Sequence, residues 1–462
     1  MKVGAGVAAG HPDTARAGAQ ILSRGGTAAD AAVAMMLVSC AAETIFTGLG
    51  GGGFATYYDA ATRRSTCVDF FVAVPGLDGS RPGAPIPIDV VFVGQRMPYE
   101  IGPPTVAVPG VPAGALHIWQ RWGRLDWREV VGPGRQASLG TAFPATHANL
   151  LPSIAAAMHA GEGKEVYSRP DGSPLQTGDH LVHQHHHRAY DLLAADPAAF
   201  YTGEYAEALV ASVAMGGALS MADLSAYRVE ESEARKVELG DHSAHARGND
   251  LDDVLSTLAA TARIVDADPV DSPDAALALV SALRGADRRT ETTNLVAVDE
   301  AGDACAITTS LGLGSGVWVP EYGVHLNSML GEGELVRELL HPGARMGSMM
   351  SPLVVLDKAD RLFLAAGAAG GSRIRPALVQ SVLRMLGGSV PQQAIDAPRL
   401  NALPGMVRME PGFSTEVVAA LKGAGNEVRV SHGLDAYFGG VSAVSLLGAG
   451  ADPRRSGAVA ML

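Results

Sequence analysis

Thr292-Thr293-Asn294-Leu295-Val296-Ala297-Val298-Asp299 opens the stretch whose reading decides the fold. Its β-branched and apolar residues predict a strand, Glu300-Ala301-Gly302-Asp303 a turn, and Ala304-Cys305-Ala306-Ile307-Thr308-Thr309-Ser310 the return arm of a hairpin. Downstream, Leu353 to Leu356 reads as a strand, Lys358-Ala359-Asp360 as a turn, and Arg361-Leu362-Phe363-Leu364-Ala365 as the answering strand. A glycine-rich bend from Gly367 to Gly371 then leads into helical spacing from Ile374 to Leu386. Upstream, His11-Pro12-Asp13 starts a helix with a stripe of Ala15, Ala19, Ile21 and Leu22. Gly25-Gly26 ends it, and Ala28 to Cys40 forms a second helix. Phe54 to Tyr58 predicts a strand, followed by a turn at Ala60 to Arg63. Residues 72–104, rich in Pro and Gly, read as an irregular loop. Helical patterns occupy 113–160 and Ala189 to Met215. Arg228 to Arg289 reads as a polar, partly mobile connector with helical spacing at Leu251 to Val265 and Pro273 to Leu283. No tandem repeat is present.

The chain has 462 residues, a length for two or three domains or for one large intertwined α/β domain. A hydrophobic fraction of 47 % with 18 % charged residues excludes wholesale disorder. The net charge of −13 repels phosphate backbones, which argues against nucleic acid as a partner. Cys40, Cys67 and Cys305 are far apart and odd in number, which fits a reducing compartment better than a disulfide framework. Met1-Lys2 runs almost directly into folded sequence, with no room for a signal peptide. Ala28 to Cys40, interrupted by Asp30, is too short to span a bilayer. A cytoplasmic protein with no membrane partner is expected.

Gly48-Leu49-Gly50-Gly51-Gly52-Gly53 satisfies a dinucleotide-type glycine pattern, but the order here is helix, glycines, strand rather than strand, glycines, helix. A tight turn that lets backbones approach is the reading retained. His180, His183, His185, His186 and His187 lack companions at ligand spacing and read as a solvated surface helix, so no metal and no cofactor is expected. Taken singly, Thr292 is an ordinary strand residue. Gly370-Gly371-Ser372-Arg373 is likewise an ordinary strand-to-helix turn, although such a turn can offer N–H groups to an oxyanion.

Several segments together resemble the γ-glutamyltransferase (γ-glutamyltranspeptidase) family of N-terminal-nucleophile hydrolases. They are Arg24 to Ala34, Gly48 to Phe54, Val108 to Gly114, Phe200 to Glu204, Gly216 to Leu224, Thr292 to Asn327, Ser351-Pro352 and Gly370 to Ile374. They span most of the chain in the family's order. The resemblance implies a four-layer αββα sandwich of the α/β (α+β) class. It also implies a precursor that cuts itself between Glu291 and Thr292 into a large subunit, 1–291, with its connector at about 230–291, and a small subunit, 292–462. The two would remain paired as a heterodimer. The freed α-amine, with an ordinary pKa of about 7.7–8.0, suits the general base of the same residue's hydroxyl.

Residue by residue, the resemblance places Thr292 on the nucleophile and Ser310 on a Thr that hydrogen-bonds it. Gly370 and Gly371 fall on the oxyanion-hole pair, and Ser348 on the first of two carboxylate-binding serines. The donor pocket departs from the pattern. Phe71 stands where the family has its carboxylate-clamping Arg, Gly312 replaces an Asn, Met329 a Gln, Glu332 an Asp and Met349 the second Ser. Phe cannot replace the planar fork that grips a carboxylate; Arg63, Arg64 or Arg96 would have to supply the charge. The connector after Tyr227-Arg228 and the lid between Leu330 and Ser348 are both short, which opens the site to bulkier substrates. The expected function is a self-processing hydrolase or acyltransferase acting on a small molecule other than a simple γ-glutamyl peptide. The alternatives are a genuine γ-glutamyl hydrolase or transferase, a carbon–carbon bond hydrolase of an alkylproline-type pathway, and a catalytically silent binding homologue.

Overall fold

The hairpin at Thr293–Val298 and Ala304–Ser310 lies at the centre of a seven-stranded antiparallel sheet. Its strand order is Ala458–Met461, Gly6–Ala9, Thr293–Val298, Ala304–Ser310, Gly52–Asp59, Arg64–Phe70, Glu230–Glu233. A second antiparallel sheet of six strands has the order Gly448–Ala451, Gly440–Ser445, Leu362–Ala369, Leu353–Asp357, His242–Ala246, Arg235–Leu239. The computed structural model describes residues 2–92, 95–248, 251, 253–264, 268–285, 292–333, 335 and 340–462. Glu291, the predicted first half of the cleavage site, and parts of the predicted connector lie outside them.

Strand parity explains how the sheets stack. Val296, Val298, Ala304 and Ala306 point to one face and meet Val354, Leu356, Ala365 and Val444 of the second sheet. Leu295, Ala297, Cys305 and Ile307 point the other way, into a helical layer. That layer is organised by Ala28–Ala42, in which all 15 residues are buried. A helix apolar on every side must be covered on every side, and Pro12–Ser23, Val111–Trp122 and Trp127–Ala137 enclose it above the sheet. Its start is fixed by a capping box: Thr27 accepts from the Asp30 amide while Asp30 accepts from the Thr27 amide. On the far side, Val254–Ile264 and Ile374–Leu386 pack on the second sheet, completing helix, sheet, sheet, helix. The predicted αββα sandwich is the observed fold.

Four local expectations need correction. Residues 72–104 contain a two-stranded antiparallel pair, Ile86–Phe92 with Gln95–Ile101, which the prolines concealed. The segment read as connector supplies Glu230–Glu233 as the edge of the first sheet and Arg235–Leu239 and His242–Ala246 to the second. These strands are polar and partly exposed, so apolar alternation did not mark them. The bend predicted from Gly367 begins only at Gly370, because Leu362–Ala369 runs through Gly367. A side chain at Gly367 would overlap the Asn294 amide nitrogen, which donates to the Ile307 carbonyl at 2.9 Å and to Thr308 Oγ1 at 3.0 Å. The histidine segment is the fourth. His183 and His186 are buried, 5 % and 3 % exposed, and stack at 5.0 Å between ring centres instead of facing solvent.

The three cysteines are buried and unpaired. Among the described residues no helix is long and apolar enough to cross a membrane. Gly367→Ala should lower stability by about 1–3 kcal/mol through overpacking. Gly423→Ala, at a helix end with nothing within 4 Å of the added carbon, should be neutral or gain up to about 1 kcal/mol. Urea denaturation of the two variants checks the contrast; equal midpoints would refute it.

Candidate active site

The pairing register aligns a row across the first sheet. Thr293 faces Thr309, Ser310 faces Gly52, and Gly53 faces Phe70. Extending each pair by one residue sets Thr292, Ser310, Gly52 and Phe71 side by side at the sheet's end. With strands about 4.8 Å apart, Phe71 lies about 14 Å from Thr292 along the row. Gly52 lets the neighbouring backbone approach: a side chain there would come within 2.8 Å of the Val72 amide nitrogen. The predicted tight turn at Gly48 to Gly53 is the reason the row closes up. The Gly51 carbonyl accepts from the amides of Gly110 at 2.8 Å and Val111 at 3.1 Å. A side chain on Gly51 would collide with the Ser310 carbonyl.

Thr292 shares the parity of Asn294 and Val296, so its side chain enters the space between the sheets. Its Oγ1 accepts a hydrogen bond from the Gly370 amide at 2.7 Å, and the residue is 1 % exposed. Gly370 ends its strand at φ 122°, where a side chain would come within 2.9 Å of the Gly439 α-carbon. Gly371, at φ 61°, starts the short turn into Ile374–Leu386. Both glycines thus occupy backbone that other residues resist. Ser310 Oγ accepts from the Gly312 amide at 3.0 Å.

Thr293 has the opposite parity and donates from its hydroxyl to Glu43, at the C-terminal end of Ala28–Ala42. Thr14 Oγ1 donates to the other Glu43 oxygen at 2.9 Å. Burial pushes the Glu43 carboxyl up from 4.5 to about 7, against the lowering effect of Thr293, Thr14 and the charge of Arg455. Sequence reasoning missed Glu43, whose partners lie 29 and 250 residues away.

Gly312 and Glu332 meet. Tyr99 donates its hydroxyl to Glu332 Oε1, and a side chain on Gly312 would run into that same oxygen. The Glu332 carboxylate therefore occupies the room that a side chain at position 312 would take. Ser348, 1 % exposed, accepts from the Met350 amide at 3.1 Å. Phe71, Met329 and Met349 join a single apolar cluster with Phe54, Leu335 and Met346, and the Phe54 and Phe71 rings lie 5.2 Å apart. A cavity of about 710 Å³, bounded by Val74, Pro104, Leu330, Leu340 and Pro342, opens beside it.

Of the arginines offered as replacements for the clamp, two stand away from Phe71. Arg63 and Arg64 lie at the far end of the strand that leads to Phe71 and are exposed, and the side chain of Arg96 is outside the described residues. Two others approach instead. The Arg247 guanidinium carbon stands 3.9 Å over the Phe54 ring, and Arg345 donates to the Phe71 carbonyl at 2.8 Å. Nothing in the local sequence marks either. The histidines belong elsewhere: His183 meets Trp318 edge-on at 5.0 Å, and Trp318 stacks on His325 at 4.3 Å. Burial lowers His183 to about 4 and His325 to about 3. Among the described residues no group of three or more His, Cys, Asp or Glu is arranged to hold a metal.

The αββα sandwich is the fold of the N-terminal-nucleophile hydrolases. The cephalosporin acylase from Bacillus halodurans has the same fold, with a TM-score of 0.81 over 100 % of this chain and 96 % of that one at 21 % identity. The gamma-glutamyltranspeptidase family model matches residues 14–250 and 231–462, and the chain belongs to that family. It is 28 % identical to the Acylase ACY 1 proenzyme of Pseudomonas sp. (strain V22), over 93 % of this chain and 89 % of that protein. It is 23 % identical to the glutathione hydrolase proenzyme of Bacillus subtilis (strain 168), over 92 % and 85 %.

The raised Glu43 carboxyl fixes a pH dependence. Below about 4.5 the folded and unfolded chains both hold the proton. Between 4.5 and 7 the unfolded chain ionises first, so folding loses stability as pH rises, by about 3 kcal/mol above pH 7. Glu43→Gln removes this loss. Its stability relative to wild type should improve by about 2–3 kcal/mol between about pH 5 and 8, read by urea denaturation at each pH; a constant difference would contradict the assignment.

Proposed function

We propose that the chain is a self-processing acylase in which Thr292 is the nucleophile, acting on an acyl group more apolar than γ-glutamyl. The observation that carries this reading is the 2.7 Å contact between the Gly370 amide and Thr292 Oγ1 at the head of a central strand. In maturation, Thr292 Oγ attacks the carbonyl carbon of residue 291. The peptide C–N bond breaks to give an ester and a free α-amine, and water hydrolyses the ester. The products are the subunits 1–291 and 292–462. In turnover, the hydroxyl proton passes to that amine as Oγ attacks the substrate carbonyl. The amides of Gly370 and Gly371 hold the oxyanion. The amine proton then leaves with the departing group, and water releases the acyl product. Ser310, next in the row, orients Thr292.

Phe71, Met329 and Met349 in one cluster support the apolar acyl group. On the family's pattern Glu332 meets a substrate amine and Ser348 a carboxylate. The unpaired cysteines support a reducing, cytosolic setting. Arg247 over Phe54 favours a second reading, genuine γ-glutamyl transfer or hydrolysis with the clamp supplied from a new position.

Denaturing intact-mass measurement should find two polypeptides that meet between Glu291 and Thr292. Thr292→Ala should stay one chain and lose all turnover; a processed or active Thr292→Ala protein would end this mechanism. With the processed enzyme, kcat/KM for a phenylacetyl anilide should exceed that for a γ-glutamyl anilide at least about tenfold, or about 1.4 kcal/mol in transition-state stabilisation. The reverse order, abolished by Arg247→Gln, would establish the second reading.

A further inference from the structure

A pocket of about 560 Å³ lies apart from the row at Thr292 and shares no residue with it. It is enclosed by the short helix Gly163–Val166, the turn that leads into His186–Ala195, and the strand pair Trp318–Val319 with Val324–His325. The turn and the strand pair meet at Gly323, φ 56°, where a side chain would come within 2.1 Å of the Gln184 carbonyl oxygen. Glu165, His185 and Glu321 stand exposed at the mouth. His183 and Trp318 form the base, each 5 % exposed.

The base is short of hydrogen-bond partners. His183 Nδ1 donates to the Gly323 carbonyl at 3.2 Å. Burial lowers the His183 ring to about 4, so near neutral pH it is uncharged and Nε2 carries a lone pair. That nitrogen is buried and meets no donor, and the buried Trp318 Nε1–H meets no acceptor. The two rings stand edge-on with 5.0 Å between centres, so an unused acceptor and an unused donor belong to one wall. A hydroxyl gives one hydrogen bond and takes another, and it satisfies both groups at once. The mouth is acidic. Burial, Glu165 and Glu321 hold the Glu162 carboxyl above its ordinary range, against the pull of His185. Arg188 is the single Lys or Arg among the described residues that line the pocket, so three carboxylates leave it negative and attract a cation. Among the described residues these acids and histidines are not arranged around a metal ion, which points to an organic cation.

We propose that this pocket is a binding site for a hydroxylated amine, an amino alcohol or amino sugar. Its ammonium group lies among Glu162, Glu165 and Glu321, and a hydroxyl bridges His183 Nε2 and Trp318 Nε1. Val166, Val182 and Pro320 supply apolar wall for the carbon skeleton between the two. The size suits such a ligand, since small-molecule pockets run from about 300 to 1,000 Å³. Binding here involves no chemistry at Thr292 and stands whether or not Thr292 is the nucleophile.

The test titrates the full chain as purified, by calorimetry, with three probes on the same linear carbon skeleton. 1-Amino-1-deoxyglucitol carries the charge and a hydroxyl on every other carbon, glucitol lacks the charge, and hexylamine lacks the hydroxyls. The amino alcohol should bind at least about tenfold more tightly than either of the others, one per chain. Its advantage over glucitol should shrink at about 0.5 M salt. Glu165→Gln and Glu321→Gln, both at exposed positions, should each weaken it about threefold. Glu207→Gln, exposed on the helix Glu204–Val213, should change nothing. Trp318→Phe removes the N–H and should erase the advantage over hexylamine. Should Trp318→Phe not fold, the order of the three probes and the two Glu substitutions decide alone. Equal affinities, binding of none, hexylamine matching the amino alcohol in the wild type, or a loss in Glu207→Gln equal to that in Glu321→Gln overturns the proposal. None of those failures touches processing at Thr292, which the mass measurement reads separately.

Discussion

The strand Thr293–Val298 is bonded along both edges, to Gly6–Ala9 and to Ala304–Ser310, and has a packed layer against each face. It can neither slide nor rotate. A slip of one residue would exchange its two faces, moving Val296 and Val298 into the helical layer and Thr292 away from the second sheet. The hydrogen bond from Gly370 to Thr292 therefore exists because six residues downstream alternate correctly. The same alternation sends Thr293 to Glu43. Asn294 fixes the depth of the sheet contact, filling the space that Gly367 leaves and bonding across to Thr308. Two neighbouring threonines thus receive opposite environments: Thr292 a backbone amide, Thr293 a buried carboxylate.

Phe71, Met329 and Met349 lie together in one buried apolar cluster. Removing a clamping arginine from a buried pocket while keeping the polar groups around it would strand those groups without partners. Here Phe71 is accompanied by Met329 and Met349 in continuous apolar contact, so little is stranded. The room for the Glu332 carboxylate comes from Gly312 at φ 70°. An Asn at position 312 would meet the Glu332 carboxylate as Glu332 now stands.

Elements whose signal is local were legible in the sequence. The hairpin at 293–310 carries β-branched arms around a turn, Ala28–Ala42 carries its Thr27 cap and unbroken apolar run, and the glycine turn at 48–53 shows its own constraint. Thr292, Ser310, Gly370 and Gly371 could be read as a candidate site only through resemblance, since each alone reads as ordinary structure. What stayed hidden depends on distant residues. The strands Arg235–Leu239 and His242–Ala246 are defined by where they pair, on Leu353–Asp357, and their polar composition looks like linker. His183 and His186 are buried by Tyr167, Trp318 and Tyr190, none adjacent in sequence except the last. Arg247 and Glu43 acquire meaning from Phe54 and Thr293, far along the chain.

Four charges buried beneath the second sheet show what the remaining polar interior is for. Arg399 pairs with Asp452 at 2.6 Å, Asp452 also with Arg454 at 3.1 Å, and Arg454 with Glu410 at 2.5 Å, all at 2 % exposure or less. Such networks cost several kcal/mol of desolvation per ion, and an apolar core would be about as stable. Their value is geometric. Asp452 accepts from the amides of Arg454 at 3.0 Å and Val441 at 2.9 Å, fixing the turn Pro453–Arg455 against the strand Gly440–Ser445. Arg399 in turn bonds the carbonyls of Phe438 at 3.3 Å and Gly439 at 3.2 Å, the very backbone that Gly370 packs upon. An apolar core would leave that turn free to pivot. The ion network fixes both the turn that carries Arg455 and the backbone that Gly370 packs upon, through hydrogen bonds with defined directions.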